Sequence, residues 1–248
     1  MALKCGIVGL PNVGKSTLFN ALSSAKAQSA NYPFCTIEPN VGTITVPDPR
    51  INKLTEIVNP QRTIPTTIEI VDIAGLVKGA SKGEGLGNQF LGNIRETDAI
   101  IHVVRCFDDG NIIHVDGDIN PIRDKDIIDT ELQFKDLETL EKRQERLKKL
   151  SKTNDKEVLK QLDTVNRLIA HIEEGESARS FDGTEKEIEF IKTFYLLTSK
   201  PILYVCNVDE DSVIEGNEYT KAFKAKVANE KAEVILISAQ IEADISDL

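Results

Sequence analysis

The motif at residues 9–16 constrains the fold of this chain more than any other feature. It reads GLPNVGKS, which fits G-x-x-x-x-G-K-[ST], with a short apolar run at 3–8 before it and the helix-like segment 17–22 after it. In such a strand–loop–helix unit, glycines let the backbone approach phosphate oxygens, and the helix N-terminus adds a positive dipole end. We therefore predict a phosphate loop in which Lys15 reaches the β- and γ-phosphates and Ser16 ligates Mg²⁺. The nucleotide contacts predicted in this loop are Asn12, Val13, Gly14, Lys15, Ser16 and Thr17.

Apolar runs of strand length recur along the chain, mostly separated by stretches that can hold a helix. They lie at 3–8, 66–71, 99–104, 201–206 and 234–237. Their continuous apolarity predicts strands covered on both faces, as in a mostly parallel sheet flanked by helices. This is an α/β fold, and its functional groups are expected at the carboxyl ends of the strands.

Residues 124–199 interrupt this rhythm with a charged, leucine-spaced stretch that predicts an inserted helical hairpin. Apolar residues at alternating spacings of four and three between 158 and 172 form one seam, and leucines between 137 and 150 outline a matching arm. The polar stretch 151–155 between them is turn-like. The predicted domains are therefore 1–123 and 200–248 for the two parts of the α/β domain, and 124–199 for an antiparallel coiled-coil arm.

Composition excludes several classes of protein. Of the 248 residues 40% are apolar, and the net charge of −10 disfavours indiscriminate binding of polyanions. The four cysteines are far apart and show no metal-type pairing, which predicts a reducing compartment. With neither a signal-like leader nor a membrane-length apolar run, we expect a cytoplasmic protein that contacts no membrane and no specific DNA sequence.

Two further segments complete the predicted metal and γ-phosphate site. Asp72 ends the run at 66–71 and opens a D-x-x-G motif, whose carboxylate holds Mg²⁺ through water and whose Gly75 N–H meets the γ-phosphate. Thr36, between the phosphate loop and Asp72, is placed to supply a second hydroxyl to Mg²⁺. The pattern is typical of a nucleotide-dependent switch.

The base pocket is predicted after the run at 201–206. Asn207-Val208-Asp209-Glu210 stands where guanine-specific switches carry Asn-Lys-x-Asp. The glutamate carries its carboxylate one methylene further out, which is poorly registered for the donors of guanine, so we favour ATP. A degenerate guanine pocket is the alternative. Ser238, Ala239 and Gln240 are expected to form the last base-contacting loop.

Taken together, GLPNVGKST, YPFCTIEPN, DIAGLVKGA and NVDE resemble the YchF/Obg-like ATPases, translation-factor-class P-loop proteins. The resemblance spans essentially the whole chain, including the helical insertion. It implies a Ras-like P-loop NTPase fold and an ATP-hydrolysing switch that associates with the ribosome and regulates translation or a stress response. Family members usually continue into a TGS domain, which is absent here, and the closing helix is at best begun. We therefore expect either a fragment or a natural truncation.

Catalysis is expected to depart from that of common GTPases. Leu76 follows the D-x-x-G motif where many GTPases carry a water-orienting glutamine, and leucine cannot do this. His114 is the best side chain to orient the water, and the resemblance supports a catalytic role for it. Asn12 either helps to hold a K⁺ ion that stabilises phosphate charge or only stabilises its loop. His102 is expected in the core, and His171 on the arm.

The arm offers a local positive surface on this acidic protein. It is formed by Lys142, Arg143, Arg146, Lys148 and Lys149, with glutamates between them. This surface either is simply solvated or docks on ribosomal RNA or protein. Two alternatives to the ATPase switch stay open: a nucleotide-gated regulator of other proteins with incidental hydrolysis, and an Obg-type GTPase. A monomer is expected.

Overall fold

The fold is an α/β sheet with a long helical hairpin, seen in a computed structural model. The structure describes residues 2–27, 41–73, 86–110, 112, 114 and 117–248, with side chains left out at 24–27 and 86–90. The strands are β1 (Leu3–Val8), β2 (Val41–Thr45), β3 (Thr67–Asp72), β4 (Ala99–Arg105), β5 (Ile202–Asn207) and β6 (Glu233–Ile237). The α-helices are α1 (Lys15–Ala27), α2 (Pro49–Val58), α3 (Leu86–Arg95), α4 (Pro121–Leu150), α5 (Lys156–Glu173), α6 (Glu185–Lys192), α7 (Glu218–Val227) and α8 (Ala239–Ser246).

The six strands in the described part of the chain form one sheet in the order β2-β3-β1-β4-β5-β6. All neighbours are parallel except β2 and β3, which pair antiparallel. The five predicted strands are therefore confirmed, each to within one residue at either end. Strand β2 was not predicted: it is short, holds Gly42, and lies at the edge of the sheet, where the apolar signal is weak.

The main core lies on both faces of the central strands. Ile7, Val8, Ile100, Val103 and Tyr204 are buried there, as expected for strands covered on both sides. Cys5, Cys106 and Cys206 are buried free thiols, as their apolar surroundings indicate. None of the described helices combines the length and apolarity needed to cross a lipid bilayer.

Helices α4 and α5 form the predicted antiparallel hairpin, called the arm below. A short 3₁₀ turn at Ser151–Thr153 follows α4, Asn154 takes a left-handed conformation with φ of 55°, and the Asp155 side chain caps α5. The arm has its own apolar cluster, with Leu140 and Leu168 at its centre. The predicted domain boundary at 124 falls inside α4, which begins at Pro121. The division of the chain into domains stays a prediction.

A buried carboxylate anchors the arm to the chain that returns to the sheet. Asp136 on α4 is fully buried and accepts hydrogen bonds from Leu197 N (2.7 Å), Thr198 N (2.8 Å) and Thr198 Oγ1 (2.7 Å). Burial raises the pKa of Asp136 to about 6, against the effect of these donors. The three bonds fix the middle of α4 to the segment that enters β5.

Candidate functional site

The phosphate loop joins β1 to α1 through a backbone that few residues adopt. Gly9 and Gly14 have φ of 153° and 96°. A Cβ on Gly9 would lie 2.4 Å from the Val103 carbonyl oxygen, and one on Gly14 would lie 2.3 Å from Asn207 Nδ2. Asn12 takes a left-handed φ of 62°, which asparagine tolerates better than most residues. The two motif glycines are thus required by φ and by close approach.

Lys15 begins α1 and turns back over the loop. Its Nζ donates to the Leu10 carbonyl oxygen at 2.6 Å, and only 7% of the residue is exposed. Burial lowers the pKa of Lys15 to about 8, although the nearby Asp72 carboxylate opposes this shift. A buried cation with only part of its charge compensated favours an anion as ligand.

Ser16 and Asp72 are brought together, as the predicted metal site requires. Ser16 Oγ donates to Asp72 Oδ2 at 3.1 Å, while Asp72 Oδ1 is buried and has no hydrogen-bond partner among the described residues. A hydroxyl and a carboxylate oxygen are hard ligands of the kind that Mg²⁺ prefers, with phosphates and water completing its shell. These two residues fit the ion. The P-loop fold generally uses Mg²⁺.

Three predicted residues cannot be placed. Thr36, Gly75 and Leu76 lie outside the residues that the structure describes. Their predicted roles with Mg²⁺, the γ-phosphate and the attacking water stay predictions.

A cavity of about 510 Å³ opens at the carboxyl ends of β1, β4, β5 and β6, and it is called the base cavity below. It brings together residues predicted from three separate stretches of sequence. The predicted residues that line it are Asn12, Gly14, Thr17, Asn207, Val208, Glu210, Ser238, Ala239 and Gln240. This is the position expected for a ligand in an open α/β sheet.

Asn207 connects two walls of the base cavity. Its Nδ2 donates to the Val13 carbonyl oxygen at 2.9 Å, and its Oδ1 accepts from Ala239 N at 2.9 Å. The residue is 4% exposed. Asn207 therefore holds the phosphate loop against the start of α8, a role that its predicted contact with the base did not include.

The next three residues divide between core and cavity. Val208 is 2% exposed and belongs to the main core. It therefore offers the cavity less side chain than the lysine that guanine-specific switches carry at this position. The Asp209 carboxylate accepts from Ser212 N at 3.0 Å and caps a 3₁₀ turn. Glu210 is exposed at the cavity wall, where its carboxylate is accessible to a bound base.

The loop at 238–240 reaches the cavity with its polar side chains engaged locally. Ser238 Oγ accepts from Ile241 N and caps α8, and Gln240 Nε2 donates to Asp244 Oδ1 at 2.8 Å. The Ser238 hydroxyl and the Gln240 amide nitrogen therefore each have a partner within α8.

Sequence reasoning missed the fourth wall, which follows β4. It consists of Phe107, Asp108, Asp109 and Ile112. The Arg105 guanidinium, 1% exposed, donates to the carbonyl oxygens of Phe107, Asp109 and Ile112 at 3.0–3.2 Å and so shapes this wall from below. Only the place of this segment in the predicted fold could have indicated it, because the segment follows β4 at the same edge of the sheet where Asn207 ends β5.

The three histidines occupy different surroundings. His114 is buried at 5% exposure, and its Nε2 lies 2.8 Å from Asp124 Oδ2 at the start of α4. His102 is buried in the sheet, where burial lowers its pKa to about 3, and its Nδ1 has no hydrogen-bond partner within the described part of the chain. His171 lies on the arm, as predicted, and contacts Ser177 O and Ser180 Oγ. The catalytic role of His114 stays a prediction.

The basic surface of the arm is exposed along α4. Its members Lys142, Arg143, Arg146, Lys148 and Lys149 all face solvent. Lys142 pairs with Glu138, and the Arg143 guanidinium lies 5.3 Å from the centre of the Phe194 ring. Arg143 therefore also packs the arm, whereas Arg146 and Lys149 extend from it.

A strand, a glycine loop and a buried lysine, with a serine and an aspartate at a metal position, define a P-loop nucleoside triphosphatase. The model of the 50S ribosome-binding GTPase family matches residues 4–135. The chain is 55% identical to the ribosome-binding ATPase YchF of Bacillus subtilis and 53% identical to that of Escherichia coli, each over 100% of this chain and 68% of the relative. The YchF GTPase structure from Schizosaccharomyces pombe matches 99% of this chain and 68% of that chain, with 39% identity and a TM-score of 0.86.

This chain belongs to the YchF family. It spans about two thirds of the length of these relatives. The names of the relatives differ in the nucleotide, ATPase in the bacterial proteins and GTPase in the yeast one, so the preference of this chain has to be argued from its own base cavity.

Proposed function

We propose that this chain is an ATP-preferring, Mg²⁺-dependent hydrolase that acts as a switch on the ribosome. The observation that carries the proposal is the base cavity next to Lys15, with Glu210 in place of the aspartate of guanine-specific pockets. A cytoplasmic, monomeric protein is part of the same proposal.

The preference for ATP rests on the chemistry of positions 208–210. Guanine offers an N1–H and a 2-amino group to one carboxylate, whereas adenine has neither donor. Glu210 carries its carboxylate on a longer stem, and the Asp209 carboxylate is engaged with Ser212 N. Guanine donors left unpaired in a partly buried pocket would cost about 1–3 kcal/mol.

The test is a titration of the chain with fluorescent ATP and GTP analogues in Mg²⁺. Tighter binding of ATP is expected, with a shift towards GTP in the double variant Val208→Lys, Glu210→Asp. Glu215→Asp, an exposed residue outside the cavity wall, is the matched control and should bind as the parent does. A parent that prefers GTP would overturn the proposal and favour the Obg-type alternative.

In hydrolysis, the residues of this chain supply charge and position. Bound Mg²⁺ would be held by Ser16 and, through water, Asp72, and it would neutralise charge on the phosphates. Lys15 would leave the Leu10 carbonyl oxygen for the β- and γ-phosphates. With leucine at position 76, we assign the orientation of the attacking water to His114.

His114→Ala is therefore expected to lower kcat by about 10²-fold and to leave nucleotide affinity intact. Multiple-turnover hydrolysis is the measurement, and His171→Ala on the arm is the control. Unchanged hydrolysis would favour the alternative in which the chain is a nucleotide-gated regulator and another group positions the water.

Asn12 is proposed to contribute to a K⁺ site beside the phosphates. If so, hydrolysis should be faster in K⁺ than in Na⁺ buffers, and Asn12→Ala should remove the difference. Equal rates in the two buffers for the parent chain would leave Asn12 with a loop-stabilising role alone.

Association with the ribosome is assigned to the basic surface of the arm. Reversing Lys142, Arg146 and Lys149 to Glu should abolish cosedimentation with ribosomes and keep nucleotide binding, because phosphate contacts depend on positive charge. Arg143 is left unchanged because it packs on Phe194. The control reverses three exposed lysines of α7, at 221, 224 and 226. Persistent cosedimentation of the arm variant would assign the contact to another surface.

A further inference from the structure

The contact between His114 and Asp124 joins two parts of the molecule with different roles. His114 Nε2 lies 2.8 Å from Asp124 Oδ2, and the two side chains are 3% and 2% exposed. Asp124 belongs to the first turn of α4, the first helix of the arm. His114 belongs to the segment that leaves β4 and forms a wall of the base cavity.

The segment that carries His114 is fixed on both sides of the histidine. On one side, Arg105 binds the Ile112 carbonyl oxygen at 3.0 Å, and Ile112 lines the base cavity. On the other side, Arg123 NH1 donates to Asp118 Oδ1 at 2.7 Å, while its NH2 group donates to Asp124 Oδ1 at 3.1 Å. A movement of α4 therefore acts directly on the contact that His114 makes.

We propose that Asp124 is a positioning residue that holds His114 at the base of the arm, and that displacement of α4 by a partner releases the imidazole towards the nucleotide. This rests on the proposed role of His114 in hydrolysis. Slow turnover in the absence of a partner and faster turnover on docking of the arm follow from the same contact.

Release of the His114 imidazole is unfavourable because His114 and Asp124 are both buried. A hydrogen bond to a carboxylate is stronger than one to a neutral amide, and loss of the His114 contact leaves Arg123 as the side-chain partner of the buried Asp124 carboxylate among the described residues. Asp124→Asn keeps the shape of the side chain and weakens the bond. We expect it to raise basal kcat about fivefold at unchanged KM, since only the released fraction changes.

The experiment compares Asp124→Asn, His114→Ala and the double variant in steady-state hydrolysis of ATP. Asp126→Asn, an exposed carboxylate on the same turn, is the matched control and should leave kcat at the parent value. The rise in kcat should disappear in the double variant, which should match His114→Ala alone. The imidazole ¹⁵N resonances of His114 should shift in Asp124→Asn and not in Asp126→Asn, which tests the contact independently of activity.

The outcomes separate the two proposals. Parent-like hydrolysis by His114→Ala would overturn the catalytic role of His114 and the release mechanism with it. Impaired hydrolysis by His114→Ala, together with an Asp124→Asn variant whose kcat is unchanged or lower, would overturn the release mechanism alone. A rise in kcat that persists in the double variant would show that Asp124 acts through a group other than His114.

Discussion

Two regions of the molecule contain buried charges and differ in how far these are paired. One is the nucleotide edge, with Lys15 and Asp72, and the other is the junction of the arm, where Asp136 meets residues 197–198. At the nucleotide edge, Lys15 has one carbonyl oxygen as a hydrogen-bond partner, and Asp72 Oδ1 has none within the described residues. At the junction, Asp136 is at least as deeply buried, and three donors surround it. The same burial thus leaves one site in need of a ligand and completes the other.

This difference shows which buried polar groups stabilise the unliganded fold and which ones destabilise it. Buried polar groups with full partnership stabilise one arrangement, whereas partly satisfied ones raise the free energy of the unliganded fold. A nucleotide with Mg²⁺ would satisfy the phosphate loop. The junction has no need of a ligand, because the Asp136 carboxylate and its three donors satisfy one another.

The largest effect is expected from breaking the junction. Asp136→Ala leaves the buried donors of Leu197 and Thr198 without acceptors and should lower the free energy of unfolding by about 4 kcal/mol. Urea denaturation measures it. Asp163→Ala, an arm carboxylate that is 69% exposed, should change stability by less than ~0.5 kcal/mol. Equal losses of unfolding free energy in the two variants would mean that the junction contributes no more to stability than an exposed carboxylate does.

A smaller effect of opposite sign is expected at the nucleotide edge. Lys15→Met keeps an apolar stem and removes the charge, so the unliganded variant should be more stable than the parent by about 2 kcal/mol at pH 7, while nucleotide binding is lost. Lys224→Met, on exposed α7 surface, is the control. A less stable Lys15→Met variant would show that Lys15 supports the empty loop.

The pH dependence of this difference has a definite sign. The pKa of Lys15 is lowered to about 8 from 10.5. Between these values the unfolded chain binds more protons than the folded one, so the stability of the parent rises with pH. The variant lacks this rise, and the gap should close between pH 8 and pH 10.5. Thermal denaturation of both proteins across this range is the measurement.

The smallest effect belongs to the exposed part of the arm. Glu138 Oε2 and Oε1 lie 2.6 Å from Lys135 and Lys142, and these lysines lower the pKa of Glu138 to about 2. Because Glu138 is 42% exposed, Glu138→Gln should cost only about 0.5 kcal/mol at low salt. The stabilisation is present above pH 4.5 and is lost as the pH falls through about 2. A cost that high salt leaves unchanged would point to packing in place of charge.

The sequence predicts this molecule best where function depends on neighbours along the chain. The phosphate loop needs strand, glycines and helix in succession, so residues 9–16 could be interpreted directly. The partners of Asp136 lie more than 60 residues away, and no local pattern indicates them. The catalytic role predicted for His114 rests on the family resemblance, since residue type alone favours a structural histidine, and its contact with Asp124 depends on how α4 leaves the sheet.

The two hydrogen bonds of Asn207 have a consequence for how such a protein can diverge. One side chain holds both the Val13 carbonyl oxygen and the Ala239 amide, so a change at 207 alters two walls of the cavity together. Among the described contacts, the side chains of residues 208 and 210 do not join two walls of the cavity in this way. If positions 208 and 210 set the base preference as proposed, substitutions there would change the preferred nucleotide and leave both hydrogen bonds of Asn207, and with them the phosphate loop, in place.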